Sequence, residues 1–171
     1  MLRLQNSESS LTVFGASNLH GWKVDAETQQ GAISFNNLES CDISNLSLTV
    51  LTKSLKGVMP GMAETVSETL KSDEYKYVLF VLTKVENVTK KDNSVFELQA
   101  LGDLTIAGTK RSVPIRFEVT IDDNKVKLEG RTILKMTDFN LTPPEALSGT
   151  VKAKDDVMLR FDARFAGSTL L

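Results

Sequence analysis

Apolar and polar residues alternate with a period of two along most of this chain. Val113, Ile115, Phe117, Val119 and Ile121 are separated by Pro114, Arg116, Glu118 and Thr120, the signature of a strand with one face buried. Asp122-Asp123-Asn124 follows as a polar turn, because short Asx side chains bond local backbone and tolerate left-handed conformations. Val126, Leu128, Gly130, Thr132 and Leu134 then alternate with lysine, glutamate and arginine. Two further runs have the same form: Phe96, Leu98, Ala100, Gly102, Leu104 and Ile106 upstream, and Val157, Leu159, Phe161, Ala163 and Phe165 near the end.

The first half shows the same pattern with less contrast. Leu11, Val13 and Gly15 form one stripe, and Leu46, Leu48 and Val50 another. Residues 20–35 predict one or two strands interrupted near Gln29-Gln30-Gly31, and residues 77–86 predict a strand that is apolar on both faces. The short polar joints, such as Lys90-Lys91-Asp92-Asn93, imply mostly antiparallel neighbours. One stretch has a different period. Over 59–70, Met59, Met62, Val66 and Leu70 recur at helical spacing, with Pro60 in the first turn, which predicts one short amphipathic helix. Residues 138–149, with Pro143-Pro144 and Gly149, read as the longest irregular segment.

The fold class that follows is all-β: about eight antiparallel strands, each hiding one apolar face. A sandwich and a closed barrel both achieve this, and periodicity does not choose between them. Inward residues such as Ala100, Gly102, Gly130 and Ala163 would leave room inside a barrel, or else relieve crowding where strands coil. The four clearest stripes carry no charged side chain, and Thr132 is their most polar member. A buried unpaired ion costs several kcal/mol, on the order of the effective penalty per charge, so an enclosed guest would be apolar with any polar head at the rim.

Composition narrows the chemistry. At 171 residues a single domain can bury roughly 70% of its unfolded surface. The 41% hydrophobic fraction comes with only 6% aromatic residues, so the interior is built mainly from small and aliphatic side chains. With 20 basic and 22 acidic residues there is no electrostatic footprint for nucleic acid. One His and one Cys exclude an intramolecular disulfide, a cysteine-rich zinc site and a multi-histidine metal centre within one chain. No run reaches the length of a membrane span. The start, Met1-Leu2-Arg3-Leu4-Gln5-Asn6-Ser7-Glu8, contains no apolar stretch of leader length. The chain therefore reads either as made and kept in the cytoplasm or as a mature chain whose leader has been replaced by a start methionine.

Three segments resemble the YceI-like family. Gly15-Ala16-Ser17-Asn18-Leu19-His20-Gly21-Trp22 is similar to its Gly-x-Ser-x-x-His-x-Trp signature at the end of the first strand. Gly102-Asp103-Leu104-Thr105-Ile106-Ala107-Gly108 resembles its central hairpin, and Asp138-Phe139-Asn140-Leu141-Thr142-Pro143-Pro144 its late D-F-x-I-x-P-P segment. Lys76 stands where many members have proline. The resemblance covers roughly residues 9–166, leaving 1–8 and 167–171 as tails. It implies an extended lipocalin-like antiparallel barrel with a helix at one side or mouth. It also implies a tunnel for a polyisoprenoid, an isoprenoid quinone or a fatty acyl derivative, no cofactor, and a mostly bacterial, periplasmic or secreted setting.

These readings lead to a non-enzymatic, lipid-binding transport module. The expected lining is Leu48, Val50, Phe80, Leu98, Ala100, Leu104, Phe117, Val119, Leu128, Leu134 and Phe161, with any of these near a closed end being ordinary core. Met59, Met62, Val66 and Leu70 form a candidate lid, because methionine adapts to varied apolar guests, or a permanent plug. Two alternatives stand beside it. One is a lipid-acting hydrolase or isomerase using Ser17 and His20, with Asp25 as a nominal orienting carboxylate. The other is a solid barrel whose outer face meets a partner. A homodimer is compatible with all three. The Asp122-Asp123 and Asp155-Asp156 pairs read as solvated turns, and Cys41, beside Asp42, as an unreactive thiol.

Overall fold

The alternating runs pair, in chain order, into one closed antiparallel barrel of eight strands, and the computed structural model describes residues 1–146 and 149–167 of it. Three strands are each made of two segments: β1 (Leu2–Leu4 and Ser10–Ser17), β2 (Gly21–Ala26 and Gln29–Asn37) and β3 (Asp42–Leu51 and Leu55–Lys56). Five are continuous: β4 (Tyr77–Asp92), β5 (Val95–Ile106), β6 (Thr109–Asp122), β7 (Lys125–Lys135) and β8 (Val151–Ala166). Each strand pairs with the next, and β8 closes the ring on both segments of β1, with Phe161 opposite Leu11 and Phe165 opposite Leu4. The ring closes, as an open sandwich does not, although β4 meets β3 only over Tyr77–Val81 and Leu55–Lys56 pair on one side only, with Asp25 and Ala26.

Turn chemistry fixes the register. β5 and β6 are joined by Ala107 (φ 47°) and Gly108 (φ 81°), two consecutive left-handed residues that match strand twist in a tight hairpin, with Ile106 opposite Thr109. Asp123 (φ 53°) turns β6 into β7 as its composition predicts. The β4–β5 turn is shorter than expected: Lys90–Asp92 still belong to β4, and Ser94 (φ 62°) makes the reversal.

The interruptions in β1, β2 and β3 lie side by side and form a seam. Asn6 stitches the first two: its Nδ2 donates to the Glu27 carbonyl (2.9 Å) and its Oδ1 accepts from the Gln29 amide (2.8 Å). Ser54 stitches the next, with the Glu27 amide on its carbonyl (3.1 Å) and the Thr28 amide on its Oγ (3.1 Å). At the seam the inward phase shifts by one residue in all three strands. Inward side chains are Leu2 and Leu4 before the break in β1 but Leu11 and Val13 after it. They are Trp22 and Val24 before the break in β2 but Gln29 and Ile33 after it, and Val50 then Leu55 in β3.

Several expectations change. Residues 2–4, read as part of a tail, pair with β2 and β8. The break in β2 falls at Glu27-Thr28, two residues before the glutamines. Helix α1 spans Met62–Leu70 and not 59–70, because Gly61 (φ 79°) turns the chain into it and leaves Met59 and Pro60 outside. It ends at Lys71 (φ 52°), whose amide bonds the Glu68 carbonyl while the Ser72 amide reaches the Ser67 carbonyl. The segment after β7 is partly ordered: Met136–Phe139 form a 3-10 turn, and a two-residue strand, Glu145–Ala146, pairs with the start of β8. Residues 168–171 of the expected C-terminal tail lie outside the described residues, whereas the Gly167 amide bonds the Asn124 carbonyl.

Candidate functional site

The barrel interior is divided. Around one end side chains fill it: Ile33, Phe96, Leu98, Val119, Val126 and Phe165 are nearly or wholly inaccessible and pack as one cluster. Towards the other end a cavity of about 740 Å³ opens between the strands and α1, a size within the usual range of about 300–1,000 Å³ for small-molecule sites. Its wall is built from Leu48, Val50, Phe80, Leu104, Leu134 and Leu159, with α1 across it. The exposed lining residues His20, Met59, Lys135 and Glu145 mark where it reaches the surface.

Of the eleven residues expected to line a tunnel, eight do so: Leu48, Val50, Phe80, Leu104, Phe117, Leu128, Leu134 and Phe161. Leu98, Ala100 and Val119 do not. They belong to the filled half, where they are 0%, 2% and 0% exposed. The reason is geometric: one inward stripe runs the whole length of each strand, through both halves. The small residues do not simply leave space either. A β-carbon on Gly102 would meet the Phe80 ring at 2.2 Å, and one on Gly130 the Phe161 ring at 2.7 Å. Aromatic rings already occupy the room those glycines provide.

Met62, Val66 and Leu70 of α1, one turn apart, face the cavity and pack towards Val24, Val50 and Leu55; Met59 joins them from the turn before the helix. Thr132, the most polar inward residue anticipated, is also in the wall. The periodicity gave no sign of two others. Phe139 and Leu141 line the cavity from the irregular segment after β7, where no period marks an inward residue, while Met136 extends the stripe of β7 by one step. Gln29 lines it as well, turned inward by the phase shift at the seam.

Ser17 and His20 reach the cavity, but the Ser17 hydroxyl and His20 Nδ1 engage backbone. The Ser17 hydroxyl accepts from the amides of Leu19 and His20, both at 3.1 Å, and donates to the His20 carbonyl. His20 Nδ1 lies 3.0 Å from the Gly21 carbonyl, and Asp25 accepts a hydrogen bond from Thr12 at 2.7 Å. Ser17 and His20 are thus committed to turning β1 into β2, Asp25 to a cross-strand bond with Thr12, and the three do not form a nucleophile–base–carboxylate relay. Among the described residues no group of three or more His, Cys, Asp or Glu is placed to hold a metal ion. Asp155 instead caps the turn after β7, accepting from the amide and hydroxyl of Thr137, which hold its carboxyl below the usual range. Asp156 pairs with Lys135 at 2.9 Å. Arg111 donates to the Asp138 carbonyl at 2.7 Å, and Lys152 lies 4.0 Å from Glu145.

An apolar, partly enclosed cavity in an eight-stranded barrel, with a helix across it, is the geometry the three sequence segments imply. A family model described as a YceI-like domain matches residues 2–165. The chain belongs to the YceI-like family. No curated protein matches it. Among solved structures, the YceI-like barrel is similar to BcnA of Burkholderia cenocepacia, with 14% identity, 94% of this chain and 98% of that chain covered, and a TM-score of 0.73. It is also similar to a polyisoprenoid binding domain from Saccharophagus degradans implicated in plant cell wall breakdown, with 11% identity, 98% of each chain covered and a TM-score of 0.76. A Campylobacter jejuni YceI protein shares 18% identity over 85% of this chain and 84% of its own, with a TM-score of 0.66. At these identities the likeness is one of fold. In the YceI-like frame α1 is the connection between β3 and β4, and among the described residues no helix is long and apolar enough to cross a membrane.

Proposed function

We propose that this protein binds and carries one long-chain apolar lipid, such as a polyisoprenoid, an isoprenoid quinone or a fatty acyl derivative, without altering it chemically. The observation that carries the reading is the cavity of about 740 Å³ with an aliphatic and aromatic wall. Burying chain carbons there gives about 0.8 kcal/mol per methylene, so affinity grows with length and depends little on the exposed head. The Ser17 hydroxyl and His20 Nδ1 are engaged by backbone, which favours carriage over hydrolysis or isomerisation. The interior is not solid, which disfavours a barrel that acts only through its outer face. The Saccharophagus degradans domain, described as polyisoprenoid-binding, supports the same class of guest. The family resemblance supports a periplasmic or secreted site of action.

The test is native mass spectrometry of protein purified without detergent, followed by solvent extraction and identification of what is released. Stoichiometric lipid is expected, chemically intact, and equally from a His20→Ala variant. Recovery of no lipid from a host that makes long isoprenoids, together with no uptake of an apolar fluorescent reporter, would refute carriage.

A further inference from the structure

Strand β4 outruns its neighbour on one side. It pairs with β3 over residues 77–81 only, whereas its pairing with β5 runs over residues 79–92. From residue 82 to 92 the edge turned away from β5 is therefore paired with no strand, and among the described residues none of its backbone groups bonds to a loop or turn. Every residue from 86 to 92 is exposed, Val88 among them. A row of unpaired N–H and C=O groups of this kind is a template for one more strand.

The side chains select which strand fits. Lysines and bulges commonly keep an edge from pairing with its own copy, and β4 carries both. Its charges, however, change sign about one point. At every second position stand Lys84, Glu86, Val88, Lys90 and Asp92, an order antisymmetric in charge about Val88. Antiparallel self-pairing centred there sets Val88 against Val88 of the second copy, Glu86 against Lys90 and Lys84 against Asp92, each charged pair twice by symmetry. Opposite charges facing across two strands stabilise the pair, and like charges oppose it. A centre one residue away in either direction sets like charges opposite, Lys84 against Lys90 or Glu86 against Asp92. Among the described residues these four charges enter no ion pair, whereas Lys91, outside the series, is held by Glu118 at 3.0 Å. Residues 87–90, about the centre, keep unbroken register with β5 between two irregularities.

We infer that two copies of this chain pair through these edges, β4 against β4, in the register centred on Val88. Val88 and Lys90 stand opposite Leu98 and Phe96 of the filled half, so the pairing leaves the mouth of each cavity clear. The contact lies on the outside of the barrel, and it holds or fails independently of carriage.

The test is sedimentation equilibrium of the full chain from micromolar to submillimolar concentration. The wild type is expected to dimerise reversibly. Glu86→Lys and Lys90→Glu each turn two attractive pairs repulsive and should weaken the dimer about tenfold or more, while the double variant Glu86→Lys/Lys90→Glu should regain the wild-type affinity. Both positions are exposed, and the Tm of each variant at a concentration where it is monomeric checks that it folds. Amide hydrogen exchange over residues 84–92 should slow as the wild-type concentration rises, and should not slow in the single variants. A wild type that stays monomeric overturns self-pairing and leaves the edge to a strand of another protein. A dimer that both single reversals leave intact overturns it by placing the contact elsewhere. A dimer that the double variant fails to regain overturns it by breaking the register.

Discussion

The indole of Trp22 lies across Gly15, its antiparallel partner on the neighbouring strand: a β-carbon at position 15 would stand 2.1 Å from Trp22 Cζ2. Trp22 lines the cavity, so its place at the mouth depends on the missing side chain opposite. Gly15→Ala should displace the ring and destabilise the barrel by about 1–3 kcal/mol, the usual size of overpacking. Trp22 is the only tryptophan, so intrinsic fluorescence reports the displacement directly as a red shift. An unshifted spectrum with unchanged stability would show that the ring does not depend on Gly15.

The divided interior predicts two kinds of response to leucine truncation. Leu98→Ala, in the filled half, should cost about 2–5 kcal/mol in denaturant unfolding and leave lipid stoichiometry unchanged. Leu48→Ala, in the cavity wall, should cost less and alter which chain lengths are retained, since the space it opens joins one that exists already. Equal losses of stability at both positions would contradict the division.

The strand class was legible because alternation survives wherever one face is buried, as in Val113–Ile121, all of whose odd positions turn inward. What the pattern conceals is depth. Leu98 and Leu104 occupy equivalent places in one stripe, yet the first is core and the second is wall. The seam showed only as an interruption near Gln29-Gln30-Gly31: the one-residue phase shift at Glu27-Thr28 reverses the meaning of every later position, which is how Gln29 escaped notice. The helix start shifted because Gly61 adopts a left-handed conformation that periodicity does not register. Phe139 and Leu141 belong to a segment with no period to read.

Helix α1 can be a moving cover or a fixed plug, and exchange kinetics separate the two. Val66→Ala removes packing between the helix and the wall while leaving both in place. For a cover, stopped-flow release of the reporter should speed up about tenfold or more, as the buried methyl groups that hold it shut are lost. For a plug, stability should fall by about 1–2 kcal/mol with release unaltered.

Cys41, in the β2–β3 turn, gives the barrel an alkaline limit. Burial, reinforced by the neighbouring Asp42 carboxylate, pushes its thiol from 9.0 up to about 12. An unfolded chain loses this proton near its ordinary value while the folded chain keeps it, so unfolding is increasingly favoured as pH climbs. The contribution is complete below about pH 9 and is lost as pH rises towards 12. Urea midpoints across this window should decline in the wild type and more shallowly in Cys41→Ala. A thiol reagent should label Cys41 only after denaturation, and rapid labelling of the native protein would contradict this assignment.

The seam of Asn6, Glu27-Thr28 and Ser54 gives the molecule a joint between frame and vessel. On one side of it the strands close on their own side chains, so the ring has a reason to stay shut whether or not a guest is present. On the other side the same strands, restarted in a new phase, enclose a volume that wall substitutions can resize or re-line. Persistence and capacity are thereby placed at different heights along one barrel, and a descendant of this chain could re-line its cavity without renegotiating its fold.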